Sequence, residues 1–185
     1  MTADGHSAIA RLAPTYGHVS RSLTNGLVTL VVGPGILTHE YAHYAACRLH
    51  GVGVHERPSI GVFEDSVLVH DPVERFGADL SIAVAPTVLN STLAFLAALL
   101  AHAAVPGGPV WLWLAVVFGF TSFPSHTDTA TLFSTSKSLP RWLRPVGYLV
   151  AAPIRAVTAS TFVAGLLVFA WTAVVVLTAR GAVPG

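Results

Sequence analysis

Long apolar runs broken by short polar intervals dominate the chain. From Leu80 to Thr127 there is no Lys, Arg, Asp or Glu. One membrane-crossing helix needs roughly 20 apolar residues, so this run holds two passes. Val105-Pro106-Gly107-Gly108-Pro109 divides it, because helices seldom continue through such a cluster of proline and glycine. The pattern predicts one helix over about 79–104 and the next over about 109–127. An earlier span runs from Gly26 to about Leu49, and a last one from about Thr158 to Ala179. The stretch 139–156 mixes Arg141, Arg144 and Arg155 with apolar residues and three prolines, and reads as an interfacial segment.

These elements describe an all-α polytopic membrane protein with about four transmembrane helices. Residues 1–25 are expected to form a short N-terminal tail, since they lack the basic-then-apolar order of a signal peptide. Residues 26–133 form a three-span core, and 134–185 supply the interfacial segment and the final helix. The polar loop at about 52–78 has its own rhythm. Ser59–Phe63 and Ser66–His70 are short β-prone runs on either side of Glu64-Asp65, which predicts a small cytoplasmic β-hairpin.

Composition sharpens this picture. The chain of 185 residues is 53% hydrophobic and 10% charged, with a mean hydropathy of +0.66, where a soluble domain carries about a quarter charged residues. A net charge of +1 excludes a basic nucleic-acid binder. The single Cys47 excludes a disulfide framework and a multi-cysteine zinc site. Arg48, Arg57, Arg75, Lys137, Arg141, Arg144 and Arg155 fall in loops on one side, against Arg11, Arg21 and Arg180 on the other. By the positive-inside rule both termini lie outside a multi-pass cell-membrane protein, with the two long loops in the cytoplasm.

The first span carries His39-Glu40-Tyr41-Ala42-His43, the pattern H-E-x-x-H. Residues i and i+4 share a helix face, so both imidazoles reach one metal ion. Zinc lowers the pKa of bound water to about 7, and Glu40 stands beside it as a general base. At 1.5 Å per residue His39 lies about 20 Å below the outer end of the span, nearer the cytoplasmic face. A catalytic zinc site takes three protein ligands and one open position. Glu56, Glu64, Glu74, His50 and His70 sit in the polar loop, whereas Asp128 ends the charge-free run at the depth of the two histidines, with His126 in reserve. The same cluster also suits a metal-ion or proton transporter, or a structural role.

Three features resemble the site-2 protease family of intramembrane zinc metalloproteases. They are His39-Glu40-x-x-His43 in one span, Ala85-Pro86-x-x-x-Asn90 in the next, and Pro124 followed by Asp128 in the third. The family pattern has glycine where Ala85 stands, Asn-Pro where Phe123-Pro124 stands, and Leu-Asp-Gly where Thr127-Asp128-Thr129 stands. The resemblance covers about 26–133. It implies cleavage of transmembrane or membrane-adjacent protein segments, with Glu40 catalytic and His39, His43 and Asp128 on Zn2+. It further implies that Asn90 holds the substrate backbone, the other reading being a polar residue packed between helices, and that the hairpin receives substrate as an added strand. The expected partners are a membrane-peptide substrate and the lipid bilayer, without nucleic acid; a homo-oligomer is compatible with this reading. A transporter ordinarily needs more spans or repeated halves, and a partner-binding pseudoenzyme would not need the intact Glu40.

Overall fold

The computed structural model describes residues 13–58, 68–103 and 105–182, with side-chain surroundings from Leu30 onward. Six helices follow one another: α1 (Ala13–Leu49), α2 (Phe76–His102), α3 (Gly108–Phe120), α4 (Leu132–Thr135), α5 (Arg144–Thr158) and α6 (Thr161–Ala182), with a 3-10 turn at Ser136–Ser138 after α4. Among the described residues there is no strand. Two helices, α2 and α6, are long and apolar enough to cross a membrane. Helix α3 is apolar but has 13 residues, about 20 Å of helix. Helix α1 is long yet not among the two, and its final turns carry His39, Glu40, His43 and Arg48.

Two boundaries depart from the pattern-based expectation. Helix α1 is already under way at Ala13, inside the stretch expected to be a tail. Helix α3 stops at Phe120, whereas the apolar run predicts helix to about residue 127. The chemistry of the next few residues explains the early stop. Pro124 has no N–H to give and disfavours helical geometry at Phe123. The Thr121 hydroxyl donates back to the Val117 carbonyl at 2.9 Å, and Ser122 Oγ donates to Gly119 O at 2.8 Å, so side chains add donors beside the last backbone bonds of the helix. The chain then runs through irregular turns to Thr131, and Asp128 sits on these turns.

Helix α2 is the centre of the bundle, packing against α1, α3 and α6. Its buried face is rich in alanine: Ala78, Ala83, Ala94, Ala97 and Ala98. Small side chains let helix backbones approach closely, the usual device where surrounding lipid is as apolar as the interface. Ala97, Ala98, Ala115 and Ala179 form one such seam among α2, α3 and α6. Ala46, Cys47 and Ile82 form another between α1 and α2. Phe76, Ala83, Leu132 and Ala151 close the third side, where α4 and α5 cover the start of α2. The outward faces are apolar as well, with Val88, Phe162, Leu166, Phe169 and Leu177 all more than half exposed.

The predicted hairpin falls largely on 59–67, outside the described residues. Among the described residues the loop shows one isolated antiparallel bridge, between Val54, which precedes the predicted arms, and His70, and no hairpin is formed by them. The His55 N–H donates to Val69 O and the Asp71 N–H to Gly53 O, each at 2.9 Å.

A Cβ added at Gly119 would lie 2.6 Å from Thr172 Oγ1 on α6. We expect Gly119→Ala to lower the unfolding free energy in detergent by about 1–3 kcal/mol through overpacking. Gly165→Ala, which meets open space on α6, should be neutral or stabilising. Equal stability of the two variants would refute close packing of α3 on α6.

Candidate metal centre

Helical periodicity puts His39 and His43 one turn apart on the face of α1 that meets α2 and the end of α3. Each imidazole is held by a carbonyl from a neighbouring segment. His39 Nδ1 lies 2.7 Å from Thr121 O, and His43 Nδ1 lies 2.8 Å from Ile82 O. A carbonyl oxygen only accepts, so each Nδ1 carries the proton and donates. In the neutral rings both Nε2 atoms are then unprotonated, and they face each other at 3.1 Å. Asp128 completes the group, with Oδ2 3.6 Å from His39 Nε2 and Oδ1 3.5 Å from His43 Nε2.

With both rings neutral, three electron-pair donors therefore converge with no hydrogen among them. Such an arrangement is repulsive unless a cation or added protons occupy its centre. The spacing suits a small ion: ligands at about 2.0–2.1 Å in tetrahedral array are about 3.3–3.4 Å apart. The two imidazole nitrogens are 3.1 Å apart, and the nearest carboxylate oxygens, Oδ2 to His39 and Oδ1 to His43, lie at 3.6 and 3.5 Å; taken one atom per residue, the three donors fall within 4.8 Å of one another. His39, His43 and Asp128 could thus hold one metal ion. Nδ1–H bonds to carbonyls are also the usual second layer of support behind metal-binding histidines.

The turns after α3 aim the carboxylate. Ser125 N–H donates to Asp128 Oδ2 at 2.6 Å, and Asp128 N–H donates to Ser125 Oγ at 3.2 Å, so the two residues cap each other. Arg155 on α5 clamps the same loop. Its guanidinium donates to His126 O at 2.9 Å, to Thr129 Oγ1 at 3.3 Å and to His126 Nε2 at 3.1 Å. The His126 ring, the reserve ligand in the sequence, is therefore engaged by Arg155 and lies outside the metal-binding group.

A cavity of about 480 Å³ opens beside the cluster, lined by Glu40, His43, His70, Asp79, Asp128 and Thr131 among others. His43 is only 6% exposed while Asp128 is 21% exposed, so the cluster is closed from behind and approached from the carboxylate side. Glu40 is on this cavity and is not part of the three-residue group. Leu68, on the returning arm of the loop, also lines it. His50, Glu56 and Glu74 are outside the group too; Glu64 is outside the described residues.

Asn90, expected to meet substrate backbone, is completely buried and does not line the cavity. Its Nδ2 donates to Gly35 O at 3.0 Å, Thr121 O at 3.1 Å and Thr121 Oγ1 at 3.0 Å, while Oδ1 has no partner. It ties α1, α2 and the end of α3 together, and it shares with His39 the carbonyl of Thr121. The sequence reasoning passed over three residues. Asp79 marked only the edge of the charge-free run, yet it is buried and accepts from Thr131 Oγ1 at 2.8 Å and Thr135 Oγ1 at 2.7 Å. A carboxylate inside an otherwise apolar helix was the available signal. Arg155 looked like one interfacial arginine among three, and nothing in the sequence distinguishes Thr121.

No protein-family model, curated protein or solved structure matches the chain. The functional case therefore rests on the geometry of the cluster.

Asn90→Ala removes the donors that link Gly35 and Thr121. We expect a loss of about 1–3 kcal/mol in unfolding free energy, the usual result of stripping a partner from buried acceptors. Asn90→Asp should lose at least as much, because a carboxylate would set acceptor against acceptor. Denaturant titration in detergent measures both, and wild-type stability in either variant would contradict the bridging role.

Proposed function

We propose that the chain is an intramembrane zinc metalloprotease that hydrolyses peptide bonds of membrane-embedded proteins. The observation that carries this proposal is the convergence of His39 Nε2, His43 Nε2 and the Asp128 carboxylate at the edge of a cavity that also holds Glu40. Two nitrogens and one carboxylate suit zinc, and three protein ligands leave the fourth position open. Zinc bound there would supply Lewis acidity and a water with a pKa near 7.

The chain's own residues carry the remaining roles. Glu40 accepts the proton from the attacking water and later returns it to the departing amine, so the proton count is unchanged over the cycle. The histidines, His43 buried and His39 partly buried, bind without rearranging, since Ile82 and Thr121 already satisfy their N–H groups. A helical substrate hides its carbonyls in its own hydrogen bonds, so the scissile segment enters extended. Leu68 and His70 line the cavity, which favours a substrate that pairs with this arm of the loop as an added strand.

Membrane embedding draws support from the apolar length of α2 and α6 and from the exposed apolar faces of the bundle. Under this proposal α1 and the short α3 complete a four-span unit, with both termini outside and the site nearer the cytoplasm. The resemblance to the site-2 protease family belongs to the same proposal, as does zinc as the natural metal.

Glu40→Gln should retain zinc at wild-type stoichiometry while cleavage of a membrane-embedded peptide falls by roughly 10²–10⁴-fold. Asp128→Ala should lower zinc content together with activity, whereas His126→Ala should leave zinc bound. Metal analysis of purified protein beside a peptide-cleavage assay reads all three. Undiminished turnover in Glu40→Gln would end the protease assignment, and full zinc occupancy in Asp128→Ala would remove Asp128 from the ligand set.

A further inference from the structure

Proline inside a helix is ordinarily a defect, and α2 has one at the level of the metal-binding group. In helical register the N–H of residue 86 would donate to the carbonyl of residue 82. Pro86 has no N–H. The Ile82 carbonyl is therefore released from the helix, and Ile82 itself is buried. A buried carbonyl without a donor is costly, and here a side chain from another helix supplies one. His43 Nδ1 sits 2.8 Å from Ile82 O. The carbonyl left over by Pro86 is the one that holds His43.

We propose that Pro86 is a positioning residue for His43. By withholding a helical hydrogen bond it dedicates the Ile82 carbonyl to the imidazole, fixes the proton on Nδ1 and presents Nε2 to His39 and Asp128. The same carbonyl in an uninterrupted helix would point along the axis into a backbone N–H. The ring would then lose its geometric reason to prefer one tautomer. His39 receives equivalent treatment by another route, since Thr121 O lies past the end of α3, where no helical donor reaches it. Not every helical proline in this chain has such a role. Pro153 interrupts α5 in the same way, and among the described residues no side chain donates to the carbonyl of Leu149, four residues before it.

The inference deepens the zinc proposal but is separable from it, because the tautomer of a histidine exists without metal. The test compares four proteins: wild type, Pro86→Ala, Pro153→Ala, and a chain with lactic acid at position 86. Lactic acid has the side chain of alanine but an ester oxygen in place of N–H, so it lacks both the proline ring and the donor. Imidazole nitrogen-15 shifts, recorded on metal-free protein at a pH where the rings are neutral, report where each proton resides. Cobalt(II) titration reports affinity.

In wild type His43 should be protonated on Nδ1. Pro86→Ala should mix the two tautomers and weaken cobalt binding by roughly 10- to 100-fold, as loss of support behind a ligand commonly does. Its thermal stability should hold or rise, because alanine favours helix; a proline with a purely structural role gives no such opposition between stability and affinity. The lactic-acid chain should behave as wild type, and Pro153→Ala should leave both readouts unchanged. The proposal falls if His43 stays wholly Nδ1-protonated in Pro86→Ala, or if the alanine and lactic-acid chains shift alike. A tautomer shift in Pro86→Ala without any cobalt binding in wild type would uphold the role of Pro86 and count against the zinc site.

Discussion

Two backbone carbonyls that the helices cannot use organise this protein. Ile82 O is released by a proline four residues later, and Thr121 O lies just past the end of a helix. Each takes the N–H of one histidine, at 2.8 and 2.7 Å respectively. An apolar interior makes both partnerships strong, because an unmatched polar group there has no water to turn to. The consequence is chemical as well as structural. Once both Nδ1 protons are committed, both Nε2 lone pairs point at the same place, and Asp128 adds a third donor beside them.

The remainder of the bundle keeps those carbonyls within reach. Alanine seams bring α2 close to α1, α3 and α6. Gly35 lies so near Val117 and Thr121 that no side chain fits between them. Asn90 then links Gly35 to Thr121 from α2. Histidine orientation is thus inherited from helix packing, and a shift of a few tenths of an ångström at a seam would be felt at Nε2.

The third donor is held differently. Asp128 rides on irregular chain, where local helix geometry cannot aim it. Reciprocal capping with Ser125 fixes its turn, and Arg155 pins the loop to α5. Two histidines on a helix and one carboxylate on a clamped loop leave the carboxylate side of the cluster as its open face. Glu40, Asp79 and His70 line the cavity on that side. A pocket that brings carboxylates and an imidazole together, within a bundle whose outer faces are apolar, is the feature that the protease proposal employs.

Local pattern determined a good part of this. A pair of histidines at i and i+4 shares a face in any α-helix, so two of the three members of the cluster were legible in five residues. Counting charges located α2 and α6, because apolar length is a property of sequence alone. It also singled out Asp128, which breaks the charge-free run that began after Asp79. The end of α3 was less legible: apolar content continues past Phe120, but Pro124 and the hydroxyls of Thr121 and Ser122 stop the helix, and hydropathy is blind to hydrogen bonding. What only the tertiary structure decided is who meets whom. Thr121 is 82 residues from His39 and Ile82 is 39 residues from His43, so neither pairing is encoded in local spacing. Asn90 suited either a substrate or a neighbouring helix, and packing turned it to two carbonyls; Arg155 looked interfacial and instead clamps the loop of Asp128. These partnerships depend on the distance and rotation of packed helices, and those follow from many small contacts at once.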